Sequence, residues 1–218
     1  MHPALINKDG AGNRPIQAAV LVGGESRRMG RPKAQLRQGE FGLLDHVVHV
    51  LRPLVTRIAL IGREVSSLNH SDGWNRDAEV FFLPDVPGIR GPLAGLIAAL
   101  QADSGCDWLL VACDMPQISQ AAVRWMIGNH RPGAVATVAL LPGQSTPEPF
   151  LGIYSSDILP VLSQQTERGR SIRDAIKHGS VRRVSVPAVL GSAWLNVNTP
   201  EEWAEFCSSH SRAGDASE

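Results

Sequence analysis

The chain is expected to fold as one doubly wound α/β domain, with a mostly parallel sheet and helices on both faces. Three observations carry that expectation. Short apolar runs alternate with segments of helical periodicity, as parallel strands joined by crossover helices do. No composition break or internal repeat divides the 218 residues, a length suited to one large domain. The three stretches richest in functional residue types, starting at Gly23, Asp85 and Asp114, each follow directly on a predicted strand. In such sheets ligands bind outside the carboxyl ends of the strands.

Composition narrows the class. Hydrophobic residues make up 43%, enough for a proper core. The 21 basic and 21 acidic side chains cancel, which argues against bulk attraction to nucleic acid or a membrane surface. Cys106, Cys113 and Cys207 are odd in number and lack metal-ligand spacing, as suits a reducing cytosol. No apolar run approaches a membrane span and the start of the chain has no apolar signal core, so a cytoplasmic protein is expected.

Residues 1–15 are Gly/Pro-punctuated and read as a loose leader to a domain over residues 16–207. The apolar run 18–22 is the first strand. Apolar residues at helical spacing predict a helix over 43–51, stopped near Pro53. Strands follow at 57–61, ending at Gly62, and at 79–84, after a polar loop over 66–77. A Gly/Pro-dense turn runs into a helix over 93–102, with Pro92 suited to its first turn. The run 108–113 is the most apolar strand and so central in the sheet. Ser119 is placed to cap a helix through Ala121, Val123 and Met126. Further strands are expected at 134–140, 149–154 and 181–186, and short helices at 157–162 and 171–177. Thr199 opens a last helix over 200–206, and the small, polar residues 208–218 read as a disordered tail.

The most distinctive stretch is residues 18–33, AAVLVGGESRRMGRPK. A strand breaks into Gly23 and Gly24, then meets Arg27, Arg28, Arg31 and Lys33. Glycines after a strand let backbone N–H groups approach phosphates, so this is either a phosphate-binding loop or a solvated basic turn. It is not a Walker loop, because Lys33 follows Arg31-Pro32 and precedes Ala34; nor does it hold G-x-G-x-x-G. Asp114, directly after the apolar strand, either binds a hard cation such as Mg2+ beside phosphates or caps the next helix. Asp85 is either a ligand or a turn residue ahead of Pro87-Gly88. His46 and His49, three apart on a helix, face solvent or a core edge; no Ser-His-Asp or Cys-His arrangement is evident.

The order Leu21-Val22-Gly23-Gly24-x-Ser26-x-Arg28-Met29-Gly30-x-x-Lys33 resembles the signature loop of nucleotidyltransferases that activate sugars, polyols and pterins. The resemblance is nearest to the MobA-like branch, the molybdenum cofactor guanylyltransferases, whose fold is that of the nucleotide-diphospho-sugar transferases. Cys113-Asp114-Met115-Pro116 is similar to that family's metal-binding motif, and residues 85–95 to its Asp-to-Gly-Pro-Leu-x-Gly stretch, with Arg90 atypical. The resemblance implies that Asp114 binds Mg2+. It implies that Lys33, with Arg28 second, offsets triphosphate charge, and that Leu21, Val22, Gly23, Gly24, Asp85 and Gly91 contact the nucleotide. Glu148-Pro149-Phe150 and the Asn196-x-Asn198-Thr199-Pro200 motif resemble the acceptor side, so Glu148, Asn196 and Asn198 are candidates there. Asn196 or Asn198 completes either the metal or the acceptor site, and the latter motif also reads as a turn and helix cap. Arg170 in Gly169-Arg170-Ser171 is a candidate cation for an acceptor phosphate.

What this implies is transfer of GMP from GTP to the molybdopterin cofactor, releasing pyrophosphate, with Mg2+ as cofactor. Molybdenum insertion proteins or recipient assembly factors are implied as further partners. Two departures bear on the base. Arg31-Pro32-Lys33 is closer to related branches, cytidylyltransferases included, and the asparagine usual near Gly62-Arg63 is missing, whereas the Gly23-Gly24 pair favours a purine. The rivals are a cytidylyl- or other nucleotidyltransferase on a pterin or sugar phosphate, and a nucleotide-binding assembly protein without turnover.

Overall fold

A computed structural model describes residues 14–22, 37–38, 41–62, 78–167, 169, 171–178 and 181–214. Its centre is a seven-stranded sheet. The strands are β1 (Ile16–Leu21), β4 (Arg57–Ile61), β5 (Glu79–Leu83), β6 (Asp107–Ala112), β7 (Ala136–Leu140), β8 (Glu148–Tyr154) and β9 (Arg182–Ser185). They lie in the order β5-β4-β1-β6-β8-β7-β9. Four of the six pairings are parallel; β8 alone runs against both its neighbours. The mostly parallel, doubly wound expectation holds, and β6 is central with every residue buried. Two-residue strands β2 (Arg37–Gln38) and β3 (Phe41–Gly42) form a separate hairpin that carries no periodicity a sequence would show.

Side chains alternate across the sheet. Ala18, Val20, Leu109 and Val111 point into one layer with α1 (Leu43–Leu51) and α3 (Gln120–Asn129). Ala19, Leu21, Trp108 and Leu110 point into the other, with α2 (Pro92–Ala102), α4 (Leu159–Glu167) and α5 (Ile172–His178). That period of two on strands buried on both faces is why they read as continuous apolar runs. α1 matches its sequence bounds, and Ser119 caps α3 by accepting from the Ala122 N–H at 3.3 Å. His46 on α1 donates from Nε2 to the Ile118 carbonyl, and burial lowers its pKa from the ordinary value.

The later chain departs from expectation in two places. The helix expected over 157–162 is a 3-10 turn, Ser156–Ile158, continuing into α4; Leu162 and Gln165 are buried, and the polar residues between are adequate helix formers. The last helix, α6 (Pro200–Gly214), runs past Phe206 and enters the segment expected to be a disordered tail. Polarity misled there: no glycine or proline interrupts residues 201–213, so nothing stops the helix. Residues 1–13 of the expected leader and 215–218 lie outside the described residues.

β8 carries a bulge. Its pairing with β7 shifts register between Thr137 and Ala139, and buried Leu151 sits at φ 51°, in the left-handed region. The turn brings the Pro149 carbonyl back over Gly152, where the Tyr154 hydroxyl donates to it at 2.7 Å. A Cβ on Gly152 would lie 2.9 Å from that carbonyl oxygen and 3.3 Å from the Thr137 carbonyl. Gly152→Ala is therefore expected to destabilise the protein by about 1–3 kcal/mol in urea unfolding, because backbone on both sides blocks relaxation.

Candidate active site

The carboxyl ends of β1, β4 and β6 are tied together by main-chain bonds. Val22 N–H donates to Ile61 at 2.9 Å and Cys113 N–H to Leu21 at 3.1 Å. Asp85 follows β5 by two residues and is half-buried. Gly91, at φ 71°, turns the chain into α2, with Pro92 at its first position. Gly95, one turn into α2, is where these pieces meet. A Cβ there would stand 2.5 Å from Leu21 Cδ2, 3.3 Å from Ile61 Cγ2 and 3.4 Å from Asp85 Oδ1. A side chain here would press on the Leu21 side chain, so the glycine lets the helix lie close where Leu21, Ile61 and Asp85 meet. Sequence reading noted Gly95 only as the end of a pattern.

Asp114 stands two residues beyond β6, half-buried, on the same edge. Its carbonyl accepts the Val197 N–H at 3.0 Å, so the segment before α6 lies alongside it. That segment is held by a 3-10 helix, Ala188–Trp194, whose Trp194 donates from Nε1 to the Phe150 carbonyl at 3.0 Å. The same indole meets Trp125 of α3 edge-on, with ring centroids 6.1 Å apart. Trp194 is thus a support that sequence reasoning missed. Asn196 is carried to the Asp114 corner, and its Oδ1 is buried without a hydrogen-bond partner among the described residues.

The main chain at Asn198 also opens the last helix. Its N–H donates to Glu202, and Thr199 Oγ1 accepts the Glu202 N–H at 3.2 Å, so this half of the motif starts α6. Glu148, at the start of β8, pairs with Arg173 of α5 at 2.7 Å. Gly23, Gly24, Arg28 and Lys33, and Arg170 near α5, lie outside the described residues.

The arrangement suits binding of phosphates and a hard cation more than covalent catalysis. Among the described residues no three or more His, Cys, Asp or Glu cluster as a ready-made metal cage. A carboxylate at Asp114 and an orphaned amide oxygen at Asn196, on the segment bonded to it, are both hard donors of the kind that suit Mg2+, which keeps several ligand positions for water and phosphate. Burial pushes the Cys106 thiol up to about 12, so it is no nucleophile near neutral pH. No described helix is long and apolar enough to cross a membrane.

Comparison with known proteins agrees with this geometry. A molybdenum cofactor guanylyltransferase from Sinorhizobium fredii is 33% identical over 202 residues, covering 86% of this chain and 88% of the relative. A probable molybdenum cofactor guanylyltransferase from Bacillus cytotoxicus is 26% identical, covering 88% and 96%. The crystal structure of molybdopterin-guanine dinucleotide biosynthesis protein A from Archaeoglobus fulgidus superposes with a TM-score of 0.70 at 24% identity, over 88% and 99% of the two chains. The fold is also that of a 2-C-methyl-D-erythritol 4-phosphate cytidylyltransferase from Thermus thermophilus, with a TM-score of 0.62 at 16% identity, over 92% and 100%. The model of the MobA-like NTP transferase domain matches residues 18–184, and the chain belongs to that family of nucleotidyltransferases.

Proposed function

We propose that this nucleotidyltransferase moves GMP from GTP to the terminal phosphate of the molybdopterin cofactor. An acceptor phosphate oxygen attacks the α-phosphorus in line. The new P–O bond forms as the α–β bridging bond breaks, and pyrophosphate leaves with the bonding electrons. No general base is needed, because the attacking oxygen is already ionised. The observation that carries the reading is Asp114, two residues past the central strand, with its carbonyl bonded to Val197, the residue after Asn196, whose buried Oδ1 has no hydrogen-bond partner among the described residues.

Asp114, with Asn196 adjacent, would hold Mg2+, which when bound draws phosphate oxygens together and offsets their charge. The segment from Gly23 to Lys33 supplies main-chain N–H groups and cations to the triphosphate; Lys33 first, then Arg28, balance charge building on the leaving group. Leu21, Val22, Asp85 and Gly91 form the nucleotide side, and Glu148, Asn196 and Asn198 the acceptor side. We place the reaction in the cytoplasm, in keeping with three cysteines that form no disulfide. Product delivery would be to molybdenum-enzyme assembly factors.

The names borne by the curated relatives support guanine over cytosine. Mass analysis of the product formed from GTP, Mg2+ and molybdenum-loaded pterin tests the reading. A GMP adduct is expected; a CMP adduct formed in preference, when CTP is also present, would overturn the base assignment.

A further inference from the structure

β8 is the reversed strand, so its first residue lies at the sheet edge where the other strands end. It pairs with β6 only as far as Gly152 opposite Leu110, and the bulge then brings Glu148 opposite Ala139 of β7. The Glu148 side chain is 10% exposed, and Arg173 holds its Oε2 at 2.7 Å. Its Oε1 is buried with no hydrogen-bond partner among the described residues. A carboxylate oxygen kept from water without a donor costs stability, and left-handed Leu151 just beyond it adds strain. Two such costs at one strand start, on the edge that carries Asp114, point to a ligand that supplies the missing donor.

We infer that Glu148 Oε1 accepts an N–H from the nitrogen heterocycle of the acceptor substrate, with Arg173 as its positioning residue. The inference rests on the transferase reading above. Strand order sets the side: β1 flanks β6 on one side, and β8 flanks it on the other. With neighbouring strands about 4.8 Å apart, Glu148 belongs to the half of the edge away from Leu21, at the end of β1. Charge sets the ligand class. The Arg173 guanidinium already balances the carboxylate, so a second cation such as a divalent metal is disfavoured. A phosphate is repelled by Glu148 itself. A neutral ring N–H or amino group, as on the amino-oxo pyrimidine edge of a pterin, matches what remains.

The test uses the full chain with GTP, Mg2+ and molybdenum-loaded pterin. In Glu148→Gln the amide turns its oxygen to Arg173 and presents an NH2 where the acceptor's N–H arrives, donor against donor. The KM for the acceptor is expected to rise about tenfold or more, with the KM for GTP and the melting temperature unchanged. Arg173→Ala should raise the acceptor KM as well, and Arg173→Lys should recover part of the loss. Titration of pterin fluorescence measures acceptor binding without turnover. A chain that binds pterin yet releases no pyrophosphate from GTP or CTP therefore defeats the transferase reading, while the Glu148→Gln comparison still decides this inference. An acceptor Kd and KM unchanged in Glu148→Gln overturn it, and so does a rise confined to the KM for GTP.

Discussion

Asp114→Ala is expected to lower pyrophosphate release from GTP about 10³-fold or more, with little change in melting temperature. Asp114 follows the most buried strand of the sheet, and its backbone is held by Val197 whatever side chain it carries. Truncation therefore removes the carboxylate without loosening the edge. The loss expected is that of the cation clamp on the transferring phosphates, worth several kcal/mol of charge stabilisation, which is a factor of about 10³ in rate. Stopped or steady-state pyrophosphate assays beside a thermal melt measure both quantities. A variant that keeps a tenth of the wild-type rate would remove Asp114 from the metal role.

Asp107→Ala should act in the opposite way, on stability and not on turnover. At the amino end of β6, Asp107 Oδ2 accepts from His130 Nε2 at 2.9 Å, and His130 Nδ1 meets Thr137 Oγ1 at 2.9 Å. The His130 and Asp107 side chains are 4% and 6% exposed, and Arg14 lies 3.8 Å from Asp107 while donating to Ser155 at 2.8 Å. Removing the carboxylate leaves a buried imidazole N–H without its acceptor. The expected cost is about 3 kcal/mol, a fall of roughly 6–12 °C in melting temperature for a domain of this size. Asp107→Asn, whose amide oxygen can still accept, should lose far less. Activity per folded molecule should survive, because six strand residues, about 20 Å, separate Asp107 from the edge that carries Asp114. A melting temperature within 2 °C of wild type in Asp107→Ala would deny this cluster a structural role.

These two aspartates also mark what a reader of the chain can and cannot see. The signal at Asp114 is local: an apolar run and then a carboxylate, at a strand end. β1, β4, α1 and the Ser119 cap are legible for the same reason, each being written within a dozen residues. Asp107 and His130 carry no local signal, because their contact spans 23 residues. Arg173 and Glu148 are 25 apart and equally silent. Strand direction is set by partners and not by pattern, so β8 could be recognised as a strand but not as the reversed one. The left-handed Leu151 has no glycine or asparagine to announce it; buried packing holds it there. The helix beyond Phe206 shows the converse: polar composition suggests disorder, yet no breaker stands in the way of the helix.

The central claim is guanylyl transfer at the edge shared by Leu21, Asp85 and Asp114. Pyrophosphate release measured from GTP and, separately, from CTP, with Mg2+ and molybdenum-loaded pterin, tests it most directly. Release from GTP that requires the pterin, and little from CTP, is the predicted result. GTP binding without pyrophosphate release from either nucleotide would contradict it and leave a nucleotide-binding assembly protein in its place.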